Sequence, residues 1–186
     1  MKTFSELQAM VHQTAIEKGW HTTDELGPDG LPTARQMLAW LSLVTDECDE
    51  AAQETELQYE ADGKPEGILV EYADAIIRIM DWAGACKWDV CWSPIDCDYE
   101  DNVSGARNNL VNKIRTGDPG TALVLGELCS AIFCEFAAKC PADINHSDDD
   151  CYEDHLEACV PKLFEIIERK DAYNRTRSWR HQGKLA

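Results

Sequence analysis

Basic charge is scarce in this 186-residue chain: 17 Lys and Arg stand against 35 Asp and Glu, a net charge of −18. So acidic a surface repels a nucleic-acid backbone, so no nucleic-acid partner is expected. A small phosphorylated ligand stays possible, because a divalent cation can sit between acid and phosphate. Strand patterning is nearly missing too. There is no run of alternating β-branched residues and no Asn-Gly hairpin turn. Residues 1–20 contain no apolar leader core, and the apolar run from Thr121 is broken at Gly126 and Glu127. The expectation is a soluble, cytoplasmic protein without a membrane partner. Nine cysteines are present, but the count is odd and no CxxC pair occurs, which argues against a disulfide framework or a zinc ribbon. Cys86, Cys91 and Cys97 repeat the spacing of Cys129, Cys134 and Cys140. Positions five apart do not share a helix face, so most of them read as small core residues.

Helical periodicity fills the rest. Phe4, Leu7, Met10, Val11 and Ile16 predict a helix over 3–18. Gly27, Pro28, Gly30 and Pro32 make a loop, and Thr33 is placed to cap a second helix over about 34–59. A turn at Gly63, Lys64 and Pro65 leads to a third helix, about 66–83, closed by Gly84. It is apolar over so much of its surface that it should be central in a bundle. Further helices are expected at 103–116, 119–139 and 151–173, with Pro161 near the start of the last or at a kink, and an irregular basic tail after that. The fold class is all-α: one domain over 1–186, an antiparallel helical bundle. Leu41–Glu50 also aligns weakly with Ala122–Ala131, as a degenerate repeat would.

Glu47 and Glu50 are three apart on the second helix, and Glu71 and Asp74 are three apart on the third, so each pair shares a helix face. A short connection makes the two helices neighbours, and the pairs can converge. Four carboxylates at one point repel unless a cation neutralises them, and hard oxygen ligands favour Mg²⁺ or Mn²⁺. Acidic pairs of this spacing are common on solvated faces. Glu71 and Asp74, however, interrupt the most apolar helix of the chain, where charge is costly unless it coordinates something. A di-iron bundle would need Glu-x-x-His, and no histidine has a Glu three residues before it.

The segment Thr45–Glu50 (TDECDE), followed by Glu71-Tyr-Ala-Asp74, resembles the ExxE…ExxD signature of the all-α nucleotide pyrophosphohydrolases, the MazG-like superfamily. Glu71–Gly84 (EYADAIIRIMDWAG) is similar to that family's second metal helix. Lys170–Lys184 (KDAYNRTRSWRHQGK) is similar to the tail of its short members, and Lys18-Gly-Trp20 also fits. The chain departs from the short members by about seventy residues between the metal helices and the tail, an inserted or duplicated helical segment. Gln182 displaces the glycine that usually follows the tail histidine.

The resemblance implies hydrolysis of a nucleoside triphosphate between its α and β phosphates, giving the monophosphate and pyrophosphate. Glu47, Glu50, Glu71 and Asp74 would hold Mg²⁺, and Glu47 or Glu50 would also orient or deprotonate the water. A homodimer is the expected assembly. Residues 169–186 hold six basic residues and one acid, a net +5 that leaves −23 on the rest. Lys170, Asn174, Arg177 and Arg180 are candidates to clamp phosphate. The alternative is a basic tail that pairs with an acidic body. Arg78, one turn beyond Asp74, could reach phosphate or pair with an acid, and Trp20 could stack on a base or simply pack. Two other classes remain open: a catalytically inactive nucleotide-binding or sensing protein of the same fold, and a helical interaction protein whose acidic faces are merely solvated.

Overall fold

A computed structural model describes residues 2–20, 27, 32–90, 92–93, 102–141 and 151–177. Its elements run α1 (Phe4–Glu17), α2 (Ala34–Gln53), β1 (Tyr59–Ala61), β2 (Lys64–Glu66), α3 (Ile68–Cys86), α4 (Val103–Thr116), α5 (Thr121–Lys139) and α6 (Cys151–Thr176). Among the described residues the chain is all-α apart from one two-stranded antiparallel hairpin. α3 is the axis: α1, α2, α5 and α6 all pack on it, α2 most extensively, and α4 packs on α5.

Local chemistry explains several helix starts. Thr3 and Thr33 each close a capping box, with Glu6 and Gln36, and Asn102 accepts from Gly105 N–H at the head of α4. α3 has no side-chain cap. Its first N–H groups bond instead to the segment before the hairpin: Ile68 N–H donates to Glu56 O (2.9 Å) and Leu69 N–H to Leu57 O (3.0 Å).

Two expectations about α2 and the turn are corrected here. α2 stops at Gln53 rather than near Tyr59, because residues 56 and 57 surrender their carbonyls to α3. The turn is a β-hairpin, with Tyr59 opposite Glu66 and Ala61 opposite Lys64. Its two central residues, Asp62 (φ 52) and Gly63 (φ 79), both take the left-handed conformation. Asp-Gly is the usual substitute for Asn-Gly in such turns.

Gly84 does not end α3, which runs on to Cys86. Its role is contact: a Cβ there would lie 2.4 Å from His12 Cγ, so glycine lets α1 lie close against α3. His12 Nδ1 reaches Asp81 Oδ1 at 2.8 Å beside this crossing. Pro161 lies inside α6, and the helix continues through Thr176, past the expected end at Tyr173.

The core is built from Leu7, Leu69, Ile76, Ile79, Met80, Trp82, Leu110, Leu125, Leu128, Ile132, Phe133 and Phe136, all nearly or fully enclosed. Trp40 meets Trp82 edge-on at 6.0 Å. Cys86, Cys129 and Cys159 are buried free thiols, packing as small apolar groups, and Cys134 takes part in a disulfide. α5 is, by length and composition, apolar enough to cross a membrane, with a mean hydropathy of 1.6, which the interruption at Gly126 and Glu127 had argued against. Two thirds of it (67 %) is buried inside the bundle, as in a core helix.

Candidate metal centre

The buried stripe of α2 is Leu41, Val44, Glu47 and Ala51, so Glu47 occupies a core position facing α3. On α3, Glu71 is 3 % exposed and Asp74 half-buried. One oxygen each from Glu47, Glu71 and Asp74 lies within 4.8 Å of the others. This buried acidic triad could hold a metal ion. Mg²⁺ binds oxygens at about 2.1 Å, so opposite ligands stand about 4.2 Å apart. Adjacent ligands stand about 3.0 Å apart, so the three carboxylates must draw together by side-chain adjustment to meet it. Glu50 is exposed on α2 and lies outside the group.

The electrostatics are those of crowded, desolvated acids. Burial pushes the Glu71 carboxyl up to about 8, and the charge on Asp74 adds to the rise. Burial also lifts Asp74 to about 6, against the pull of Lys170. A fourth acid, Glu66, hydrogen-bonds Glu71. Despite its own burial, hydrogen bonds from Lys64 and Glu71 hold Glu66 below the usual carboxylate range. The hairpin register places Glu66 directly before α3, and Gly67 fixes the junction. Gly67 has φ 111, and a Cβ there would lie 2.9 Å from the Gln58 backbone and from Glu56 O. Sequence reasoning missed Glu66 because it missed the hairpin. Asp62-Gly63 was the available signal.

Three cations balance these four acids. Lys64 pairs with Glu66. Arg78 donates from Nε (3.0 Å) and Nη2 (2.9 Å) to Glu47 Oε1. Lys170, 4 % exposed, lies 2.6 Å from Asp74 Oδ2 and donates to Pro65 O at 3.2 Å. The candidate phosphate residues thus divide. Arg78 and Lys170 are bound to members of the acid triad. Asn174, one turn beyond Lys170, is 7 % exposed, and its side chain has no hydrogen-bond partner among the described residues. Arg177 is exposed, and Arg180 lies outside the described residues.

Trp20 is half-buried, and its ring faces Arg78 Cζ at 6.0 Å, a cation–π contact. Lys18 Nζ donates to the carbonyls of Arg175 (2.5 Å) and Arg177 (2.8 Å), which satisfies the C-terminal end of α6 and ties it to the end of α1. The C-terminal ends of α1 and α6 therefore meet. No family model, curated protein or solved structure matches this chain.

Proposed function

We propose that the protein is a metal-dependent nucleotide pyrophosphohydrolase of MazG-like type, cleaving a nucleoside or deoxynucleoside triphosphate between the α and β phosphates. The observation that carries this reading is the convergence of Glu47, Glu71 and Asp74, from the two helices bearing the ExxE and ExxD segments, on one buried point. The donor set, carboxylate oxygens alone, fits Mg²⁺, with Mn²⁺ as its substitute. Bound there, the ion would supply charge neutralisation for phosphate oxygens and an acidified water.

The chain's own residues supply the rest. Glu71 and Asp74 are held on α3, and Glu47, which accepts two bonds from Arg78 before any metal is present, faces them from α2. Exposed Glu50 is one turn further along α2, where it is free to orient a water without being locked in the triad. Lys170 and Asn174 present a cation and an amide from one face of α6, and both suit phosphate oxygens. Arg177 and Arg180 extend the same basic segment, and Trp20 offers an aromatic face at the same end of the bundle. A homodimer in the cytoplasm remains part of the proposal.

The test is pyrophosphate release from a panel of nucleoside triphosphates with Mg²⁺, comparing wild type with Glu71→Gln and Asp74→Asn. Release that favours particular bases and that both substitutions abolish, in folded protein, supports the enzyme. No release from any triphosphate with either Mg²⁺ or Mn²⁺ turns the reading to an inactive nucleotide-binding protein, whose mark would be nucleotide affinity without turnover.

A further inference from the structure

Two basic side chains already pair with carboxylates of the triad that a bound metal would need. Lys170 Nζ sits on Asp74 Oδ2, and Arg78 directs both donors to Glu47 Oε1. Neither carboxylate belongs to the surface: Glu47 is 9 % exposed, and the Asp74 side chain 15 %. Asn174 adds an independent observation. It stands four residues after Lys170, on the same face of α6; the residue is 7 % exposed, and its side chain makes no hydrogen bond among the described residues. Such an amide has donor and acceptor capacity to offer a ligand beside Lys170. An amide beside an ammonium suits the oxygens of a polyphosphate.

We infer that Lys170 and Arg78 are exchangeable counter-ions. In the metal-free chain they neutralise Asp74 and Glu47. A divalent cation displaces them from those carboxylates, and the released side chains join Asn174 in holding the polyphosphate. Metal binding thus creates the anion site and precedes nucleotide binding.

The charge balance supports this order. Without metal, Lys170 and Arg78 are engaged by Asp74 and Glu47, so neither is free to meet a polyphosphate. With metal, two charges are added and the two freed cations are repelled from the ion toward the anion. The inference rests on the proposed metal role of the triad, and the experiment separates the two.

Mg²⁺ is titrated calorimetrically into the nucleotide-free full chain, as wild type, Lys170→Met and Arg78→Met. An internal competitor lost from beside the ion should tighten metal binding roughly tenfold or more in each variant. Unchanged or weaker affinity overturns the exchange while leaving the metal site standing. A wild type and variants that all bind no metal overturn the exchange and the metal reading together. Arg78 is 35 % exposed at its side chain, so Arg78→Met carries the test if Lys170→Met fails to fold. In a second measurement, wild type in EDTA should not bind an α,β-methylene nucleoside triphosphate that it binds with Mg²⁺. Equal binding in both conditions overturns the order.

Discussion

Lys170 and Asp74 lie 96 positions apart in sequence and 2.6 Å apart in space, and this pair joins the last helix to the central one. The lysine is 4 % exposed and the carboxylate belongs to the only candidate metal triad among the described residues. A buried charge stripped of its partner is costly, by about 3–5 kcal/mol in comparable pairs. α6 is therefore positioned by the same acids that form the centre.

The metal-free protein should lose stability as pH rises. Glu71 is lifted to about 8 from 4.5 and Asp74 to about 6 from 3.8, so both bind a proton more tightly folded than unfolded. Their contribution is complete below the unfolded values and is lost as pH climbs through the folded ones. Melting temperature in EDTA should fall by several degrees between pH 5 and 8. Saturating Mg²⁺ should remove most of that fall, and Glu71→Gln should shrink it. A melting temperature that rises with pH in EDTA would count against this account of the cluster.

Gly67→Ala should destabilise the fold by about 1–3 kcal/mol, since φ 111 is strained for any L side chain and the new Cβ meets backbone at 2.9 Å. Urea unfolding measures this. It should also shift Glu66, so metal affinity is expected to fall along with stability. A change under about 0.5 kcal/mol would mean that the junction before α3 is looser than its geometry implies.

Asn174→Ala should behave oppositely. With no side-chain partner to lose among the described residues, stability should stay within about 0.5 kcal/mol of wild type or rise. Nucleotide affinity should drop roughly tenfold, as expected for one lost polar contact. Denaturant titration and nucleotide binding, measured on the same preparation, separate this from an ordinary structural asparagine, whose removal would cost stability and leave affinity alone.

Cys129 is fully buried in α5, and burial raises its thiol far above the ordinary value. Cys129→Ser should cost about 1–3 kcal/mol by placing a hydroxyl where the core is apolar. In the wild type the thiol should resist alkylation until the protein unfolds. Rapid alkylation of native Cys129 would contradict its place in the core.

The α-helices were legible where sequence carries its own punctuation. Thr33 with Gln36 announces α2, and Gly117, in the left-handed conformation, closes α4. The apolar circumference of α3 announced its central place. What escaped was set by tertiary demand. The sequence from Glu54 to Gln58 has nothing to forbid helix, and α2 ends because those carbonyls cap α3. Gly84 reads as a stop, but its purpose is the approach of His12 from another helix. At the site, three-residue spacing groups Glu47 with Glu50 and Glu71 with Asp74, because it fixes a helix face. It could not rank Glu47 against Glu50, since that depends on which edge of α2 meets α3. Nor could it pair Lys170 with Asp74 or Arg78 with Glu47, because such partners are chosen by packing between distant segments.

The most direct test of the metal centre is a crystal structure with Mn²⁺, with data collected for its anomalous signal. The account predicts one peak within bonding distance of the carboxylates of Glu47, Glu71 and Asp74, with the Lys170 and Arg78 side chains withdrawn from it. No peak there, with Lys170 still on Asp74 and Arg78 still on Glu47 at saturating Mn²⁺, would contradict it.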